Sequence, residues 1–345
     1  MEDDTDPADQ QPCAMTSPTV APSLGGLPLP LASRLRLPLI AAPMLHVSGV
    51  DLVSAACRKG VIGAFPTANA RSVEQLDQWL QRIKESLVDC DVPPAPFAPN
   101  LIIRQPRLQE DLACLVRHRV ELVITSVGSP TPVIPALHDI GCLVLADVAT
   151  LAHARKAIDA GADGLVLLTA GAGGQTGTLN PFAFVRAVRS FFKGPLVLSG
   201  GMADGAALWA AQALGCDLAY MGTRFIATRE SMATNAYRQM LVDSSMDDVV
   251  LTRAFTGLDA NMLQASIRAA GLDPAKLDEQ VSTATAKELY SSRTSANAGG
   301  PRRWSDVWSA GHSVSGVQGI ESVAELVERT ASEYQAARHA APGTA

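Results

Sequence analysis

The residues best placed to do chemistry are glycines that leave short apolar runs between positions 161 and 224. Gly171-Ala172-Gly173-Gly174-Gln175-Thr176-Gly177 follows the run Gly164-Leu165-Val166-Leu167-Leu168. Ser199-Gly200-Gly201 follows Leu196-Val197-Leu198, and Gly222-Thr223-Arg224 follows Ala219-Tyr220-Met221. Paired glycines let the backbone approach a ligand closely and leave N–H groups free to hold an anion. Three such exits in succession predict one phosphate held by several loops at one end of a parallel barrel. The competing reading is that each glycine serves only a tight turn or a close helix–strand contact.

Other phosphate motifs do not fit. A dinucleotide fingerprint needs a helix that starts within the glycines and an acidic residue about 20 positions further on. Here Pro181 marks the helix start after the cluster has ended, and Gly194-Pro195-Leu196-Val197 carries no acid. A Walker loop ends in Gly-Lys-Ser/Thr, and none of these clusters does.

The elements that position these exits follow a regular alternation. Short apolar runs occur at Leu37–Met44, 61–64, 97–102, 122–126, 143–147, 164–168, 196–199 and 218–221. Helical patterns separate them at 50–58, 73–87, 108–118, 132–139, 151–160, 181–192 and 203–214; within 73–87, Val73, Leu76, Leu80, Ile83 and Leu87 repeat at steps of three and four. The strands are continuous apolar runs, as expected where both sheet faces are buried. Eight such units in about 190 residues predict an α/β fold, a (β/α)8 TIM barrel, rather than a doubly wound sheet. Chemistry in such barrels sits at strand C-termini, so His46, Asn100, Thr125, Ser126, Asp147, Gln175, Ser199 and Thr223 become the polar candidates.

Around this barrel the chain divides into further segments. Residues 1–33 are rich in Pro, Ser, Thr and acid and are expected to be disordered. Residues 34–225 form the barrel, 226–300 a polar helical insertion over its mouth, and 301–340 a segment that returns to the barrel. Within the last, 322–337 reads as a helix, with a frayed tail beyond. The loop Ser291–Pro301 is rich in Ser, Ala, Asn and Gly.

Composition narrows the function. A net charge of −6, 5% aromatic residues and no basic run give no basis for nucleic-acid binding. The six cysteines form no Cys-x-x-Cys pair, histidines do not gather near them, and no metal site is expected. They read as small core residues of a reducing compartment. No stretch has the ~18 apolar residues of a membrane span, and Glu2-Asp3-Asp4 is unlike the start of a secretory leader. The expectation is a cytoplasmic enzyme of undetermined oligomeric state.

Four stretches together resemble the nitronate monooxygenase (2-nitropropane dioxygenase) family of FMN-dependent barrels: Ala41-Ala42-Pro43-Met44, Gly161-Ala162-Asp163-Gly164 with its Gly-rich loop, Ser199-Gly200-Gly201-Met202, and Met221-Gly222-Thr223-Arg224-Phe225. Trp308-Ser309-Ala310-Gly311 fits as well, so the similarity runs over residues 35–335. The resemblance implies FMN, its phosphate cradled by Gly200, Gly201, Gly222 and Thr223, with Gly173 and Gly174 close beneath the flavin. It also implies that Met44 offers backbone groups to the isoalloxazine edge, that Asn100 hydrogen-bonds the cofactor, and that Asp147 lies at the corresponding strand exit.

The departure is Gln175, which stands where well-characterised members carry the histidine that takes the α-proton of a nitroalkane. An amide is no base near neutral pH, though it can orient a nitro group or carbonyl. His46 and His312 are the candidates to replace that base, whereas His118, His138 and His153 lie in helical patterns and read as solvated. The implied activity is oxidation of nitronates with O2. The alternative is an NAD(P)H-dependent flavin reductase acting on a quinone, enone or enoyl thioester, and a non-catalytic phosphate-binding barrel is the third possibility.

Overall fold

The computed structural model describes residues 26–290 and 300–340. Eight parallel strands close a barrel: β1 (Leu39–Ala41), β2 (Ile62–Pro66), β3 (Phe97–Ile102), β4 (Leu122–Ser126), β5 (Leu143–Val148), β6 (Gly164–Leu168), β8 (Leu196–Ser199) and β9 (Leu218–Met221). The closing seam pairs Ile40 with Tyr220 and Ala41 with Met221. The helices are α1 (Leu29–Ala32), α2 (Val50–Arg58), α3 (Val73–Ser86), α4 (Leu108–Arg117), α5 (Ile134–His138), α6 (Leu151–Asp159), α7 (Pro181–Arg189) and α8 (Gly205–Leu214). Side-chain caps set several starts: Ser72, Thr150, Asn180 and Asp204 each accept from a backbone N–H of the first turn.

Strand parity decides what each side of the barrel holds. Ile40, Ile62, Ala98, Ile124, Leu145, Val166, Val197 and Leu218 fill the interior. Their neighbours in sequence pack outward against the helices. The interior is therefore a plug of side chains, and ligand chemistry is confined to the strand ends.

After β9 the chain makes α9 (Thr223–Ile226), α10 (Asn235–Val242), α11 (Gln264–Ala269) and α12 (Thr283–Tyr290) before α13 (Val323–Ala340). The last helix packs on α8, α2 and α9, and so takes the place of the helix that follows the eighth barrel strand. Everything between is inserted ahead of it. The reading of 226–300 as purely helical is corrected here. Val249–Thr252 (β10) and Ala260–Leu263 (β11) form an antiparallel hairpin, and β11 pairs with Gly174–Gln175 (β7) of the glycine loop. Four-residue strands in a polar stretch leave no strong periodicity, and β11 finds its second partner far away in sequence.

Two further corrections concern the chain's start and its histidines. Residues 26–33 are ordered, because Leu27 and Leu31 close the barrel floor beside Ile40 and Leu122; 1–25 lie outside the described residues. Most of the loop 291–301 lies outside them too, whereas α13 continues to Ala340. His118 is not solvated: its ring is 12% exposed and meets Asp77 Oδ1 at 2.9 Å. Cys114 Sγ stands 3.8 Å from the same oxygen, so a histidine, a cysteine and a carboxylate do gather between α3 and α4. His138 contacts Asp163 Oδ2 at 3.0 Å. Cys57, Cys114, Cys142 and Cys216 are free and buried, and burial pushes the Cys57 thiol up to about 12. Among the described residues no helix is long and apolar enough to cross a membrane.

Candidate functional site

A cavity opens at the C-terminal ends of β6, β8, β9 and β1. Gly173, Ser199, Gly200, Gly201, Gly222 and Thr223 line it, as do Met44 and Tyr220. Five glycine and threonine positions singled out in the sequence are thereby brought together with Met44.

The N–H groups of Gly200, Gly201, Gly222 and Thr223 meet no acceptor among the described residues. Thr223 also begins a helix, whose first N–H groups have no intrahelical partner. Gly200 adopts φ +121°, and a Cβ there would stand 2.4 Å from Thr169 Oγ1. Thr169 Oγ1 itself donates to the Ser199 carbonyl at 2.7 Å, which fixes the β6–β8 junction under the turn. Gly201 has φ +75° with nothing within 4 Å of its Cβ position, so open space lies directly in front of this backbone. Preorganised backbone N–H groups without protein acceptors, on residues that line a cavity, fit a phosphate dianion.

The glycine loop is clamped from two sides. Gly311 N–H donates to Thr223 Oγ1 at 2.9 Å, and a Cβ on Gly173 would lie 2.7 Å from Gly311 N. The two backbones therefore touch, which only glycine permits. From the other side, Asn261 Nδ2 donates to the Ala172 carbonyl at 2.7 Å. Ser309, Ala310 and Ser313 complete the cavity wall. Behind them Tyr237 stacks on Trp308, ring centroids 4.9 Å apart, and its hydroxyl donates to the Ser309 carbonyl at 2.5 Å. The segment 308–313 is thus held over the barrel mouth by the insertion.

Other candidates stand elsewhere. Met44 N–H is engaged by Ser48 Oγ at 3.0 Å and its carbonyl by Asn69 Nδ2 at 2.9 Å, which leaves the thioether, beside Gly222, to face the cavity. Asn100 is 4% exposed and exchanges hydrogen bonds with Ser126 while donating to the Ile124 carbonyl. Asp147 points into the barrel with Oδ1 buried and unpartnered, and burial pushes its carboxyl up to about 7. Thr125 is buried and donates to the Leu145 carbonyl. Neither Asn100 nor Asp147 is among the residues lining the cavity, and Gly174 lies beside the Trp304 ring rather than facing it.

The three candidates for proton chemistry are not gathered in the cavity wall. Gln175 is half-buried and pairs with Ala260 in the small sheet. His312 is exposed, its ring packed against Gly171 and its N–H donating to the Gly171 carbonyl. His46 is exposed with φ +60°; its N–H donates to Asn69 Oδ1, and partial burial with the charge of Arg302 lowers its pKa. Tyr220 was missed in the sequence. It is the one polar side chain of β9, and its parity with Leu218 is the signal that turns it inward.

Fold and site together define a (β/α)8 barrel with a glycine-lined cavity at its seventh and eighth strand exits. The nitronate monooxygenase signature matches residues 103–333, well over half of the chain, which therefore belongs to that family of flavin-dependent oxidoreductases. A nitronate monooxygenase of Paraburkholderia phytofirmans is 27% identical over 283 residues, covering 69% of this chain and 76% of that protein. The (3aS,4S,5R,7aS)-5-hydroxy-7a-methyl-1-oxo-octahydro-1H-indene-4-carboxyl-CoA dehydrogenase of Mycobacterium tuberculosis is 25% identical over 233 residues, covering 67% of this chain. The match spans only 64% of the dehydrogenase's own length. Among solved structures, nitroalkane oxidase from Streptomyces ansochromogenes superposes with a TM-score of 0.72 at 26% identity, covering 90% of this chain and 99% of that one.

Proposed function

We infer that this chain is an FMN-dependent oxidoreductase of the nitronate monooxygenase type, which oxidises alkyl nitronates with O2. The observation that carries the reading is the set of four N–H groups, on Gly200, Gly201, Gly222 and Thr223, that meet no acceptor among the described residues and belong to residues lining one cavity. These residues would hold the FMN phosphate; Gly173 and the Met44 side chain would pack on the rest of the cofactor. When bound, FMN supplies a two-electron acceptor that O2 can reoxidise.

The protein's own contribution follows from what stands at 175. A neutral nitroalkane must lose an α-proton before it can give up electrons, and Gln175 has no basic atom to take it. A nitronate arrives already deprotonated, so binding and orientation suffice. Gln175, two residues beyond the cavity-lining Gly173, would offer its amide N–H to a nitronate oxygen, and Ser309, Ala310 and Ser313 of the clamped segment wall the cavity. Burial and the charge of Arg302 lower the His46 pKa, which favours the neutral imidazole, a form able to accept a proton.

One observation favours a second reading, an NAD(P)H-dependent reductase of a quinone, enone or enoyl thioester. Hydride delivery needs no α-proton base, and a relative named as a carboxyl-CoA dehydrogenase aligns with this chain. Oxygen uptake by the purified protein separates the two. Uptake with ethyl nitronate, and little with equimolar nitroethane, supports the monooxygenase. NAD(P)H oxidation in the presence of an enone or quinone, with no uptake on nitronate, replaces it by the reductase.

A further inference from the structure

Cys114 and His118 are four residues apart at the end of α4, the spacing that sets two side chains one above the other on a single helix face. Asp77 of α3 meets both. Its Oδ1 stands 2.9 Å from His118 Nε2 and 3.8 Å from Cys114 Sγ. All three ligand atoms fall within 4.8 Å of one another, the one such group of metal-ligating side chains among the described residues. None of the three residues lines the cavity, and Cys114 packs in the layer between the outer helices and the strands. The flavin reading has no use for them.

Donor set and spacing together select the metal. Zinc bonds of 2.0 to 2.3 Å at tetrahedral angles place neighbouring N, O and S ligand atoms about 3.4–3.6 Å apart. The Cys114–Asp77 separation already stands within a few tenths of an ångström of that, and the His118–Asp77 pair must widen by about 0.5 Å. Asp77 can move, because its side chain is 48% exposed while the His118 ring is 12% exposed and Cys114 is buried. The same open side admits the ion and a water as fourth ligand. Arg117 Nη2, 3.4 Å from Asp77 Oδ1, is the competing cation, but its side chain is largely exposed and free to swing into solvent. Lys84 Nζ is engaged by the His118 carbonyl at 2.6 Å. A thiolate and an imidazole suit zinc and not magnesium or calcium, which take oxygen ligands.

We propose that Asp77, Cys114 and His118 bind one Zn2+ ion, which fastens α3 to α4 on the outside of the barrel. Cys114 binds as the thiolate, and its proton leaves to solvent as the metal–sulfur bond forms. The competing arrangement, an Asp77–His118 hydrogen bond beside a core cysteine, needs no metal and gives no thiolate ligation.

The test uses untagged full-length protein, dialysed against a chelator and then against Zn2+ or Co2+. Wild type is expected to hold one zinc per chain and, with Co2+, to show the intense visible bands of a tetrahedral thiolate-bound ion at wavelengths beyond flavin absorption. Asp77→Asn keeps the side-chain shape at a half-exposed position, so the fold should survive while zinc affinity falls by at least about 10-fold, the loss seen when a group that merely orients a ligand is removed. Cys114→Ala should abolish the cobalt bands. His138→Gln, which alters the similar His138–Asp163 pair elsewhere, should leave zinc content and cobalt spectrum unchanged. Zinc should raise the melting temperature of wild type and not that of Cys114→Ala. Wild type that retains no stoichiometric zinc overturns the proposal. So does zinc held equally by wild type, Asp77→Asn and Cys114→Ala, or cobalt bound without the thiolate signature.

Discussion

Asp147→Asn tests whether the barrel mouth holds an acid that resists ionisation in the apoprotein. Burial pushes the Asp147 carboxyl up to about 7, against 3.8 for the exposed group. The folded-state value lies above the unfolded one, so the folded chain binds more protons between these limits. Its contribution therefore falls as pH rises from about 4 to about 7, then levels off. A gap of about 3 units at 1.36 kcal/mol each sets a ceiling of about 4 kcal/mol. Asp147 keeps partial solvent contact, and screening reduces the expected effect to about 2 kcal/mol. Asn matches the shape and carries no charge, so Asp147→Asn should gain about 2 kcal/mol over wild type at pH 8 and nothing at pH 4. Urea unfolding of both apoproteins across this range is the assay. Taking the difference between them cancels groups such as Asp77 and Glu328, whose carboxyls are held low by His118 and Arg36. A difference that stays flat from pH 4 to pH 8 refutes the reasoning.

Further substitutions probe other parts of the site. Gly200→Ala forces a Cβ against Thr169 Oγ1 at 2.4 Å and Ala170 O at 2.9 Å at a positive φ, so chemical denaturation should show a loss of about 3 kcal/mol. Gly201→Ala meets no atom within 4 Å and should lose only about 1 kcal/mol while weakening FMN binding, since its methyl enters the cradle. Arg224 is buried, pairs with Glu321 at 3.2 Å and donates to the Ala203 carbonyl at 2.6 Å; Arg224→Ala should cost about 3 kcal/mol, read as a fall in melting temperature. Gln175→His should add oxidation of neutral nitroethane, with a rate that rises through the ordinary imidazole pKa of ~6.5; no gain would contradict the view that 175 lacks only a base.

The barrel was legible in the sequence because parallel strands buried on both faces write themselves as continuous apolar runs. Phe97–Ile102, Leu122–Ser126, Gly164–Leu168, Leu196–Ser199 and Leu218–Met221 are found at the expected residues. The cradle glycines were legible for a related reason: each leaves such a run. What escaped was set by partners distant in the chain. The hairpin of β10 and β11 depends on β7, 87 positions away by register from Asn261 to Gly174. Leu27 and Leu31 are too isolated to mark an element, yet they find the barrel floor. His118 follows Cys114 by one helical turn, but its partner Asp77 belongs to another helix. Tyr220 was hidden inside an apolar strand, where only parity separates a core residue from a cavity residue.

Anaerobic mixing of the purified flavoprotein with ethyl nitronate, nitroethane, NADH and NADPH in turn tests the central claim most directly. The account predicts rapid bleaching of the flavin by nitronate, slow bleaching by nitroethane and none by either nicotinamide. Bleaching by NADH or NADPH alone would contradict it.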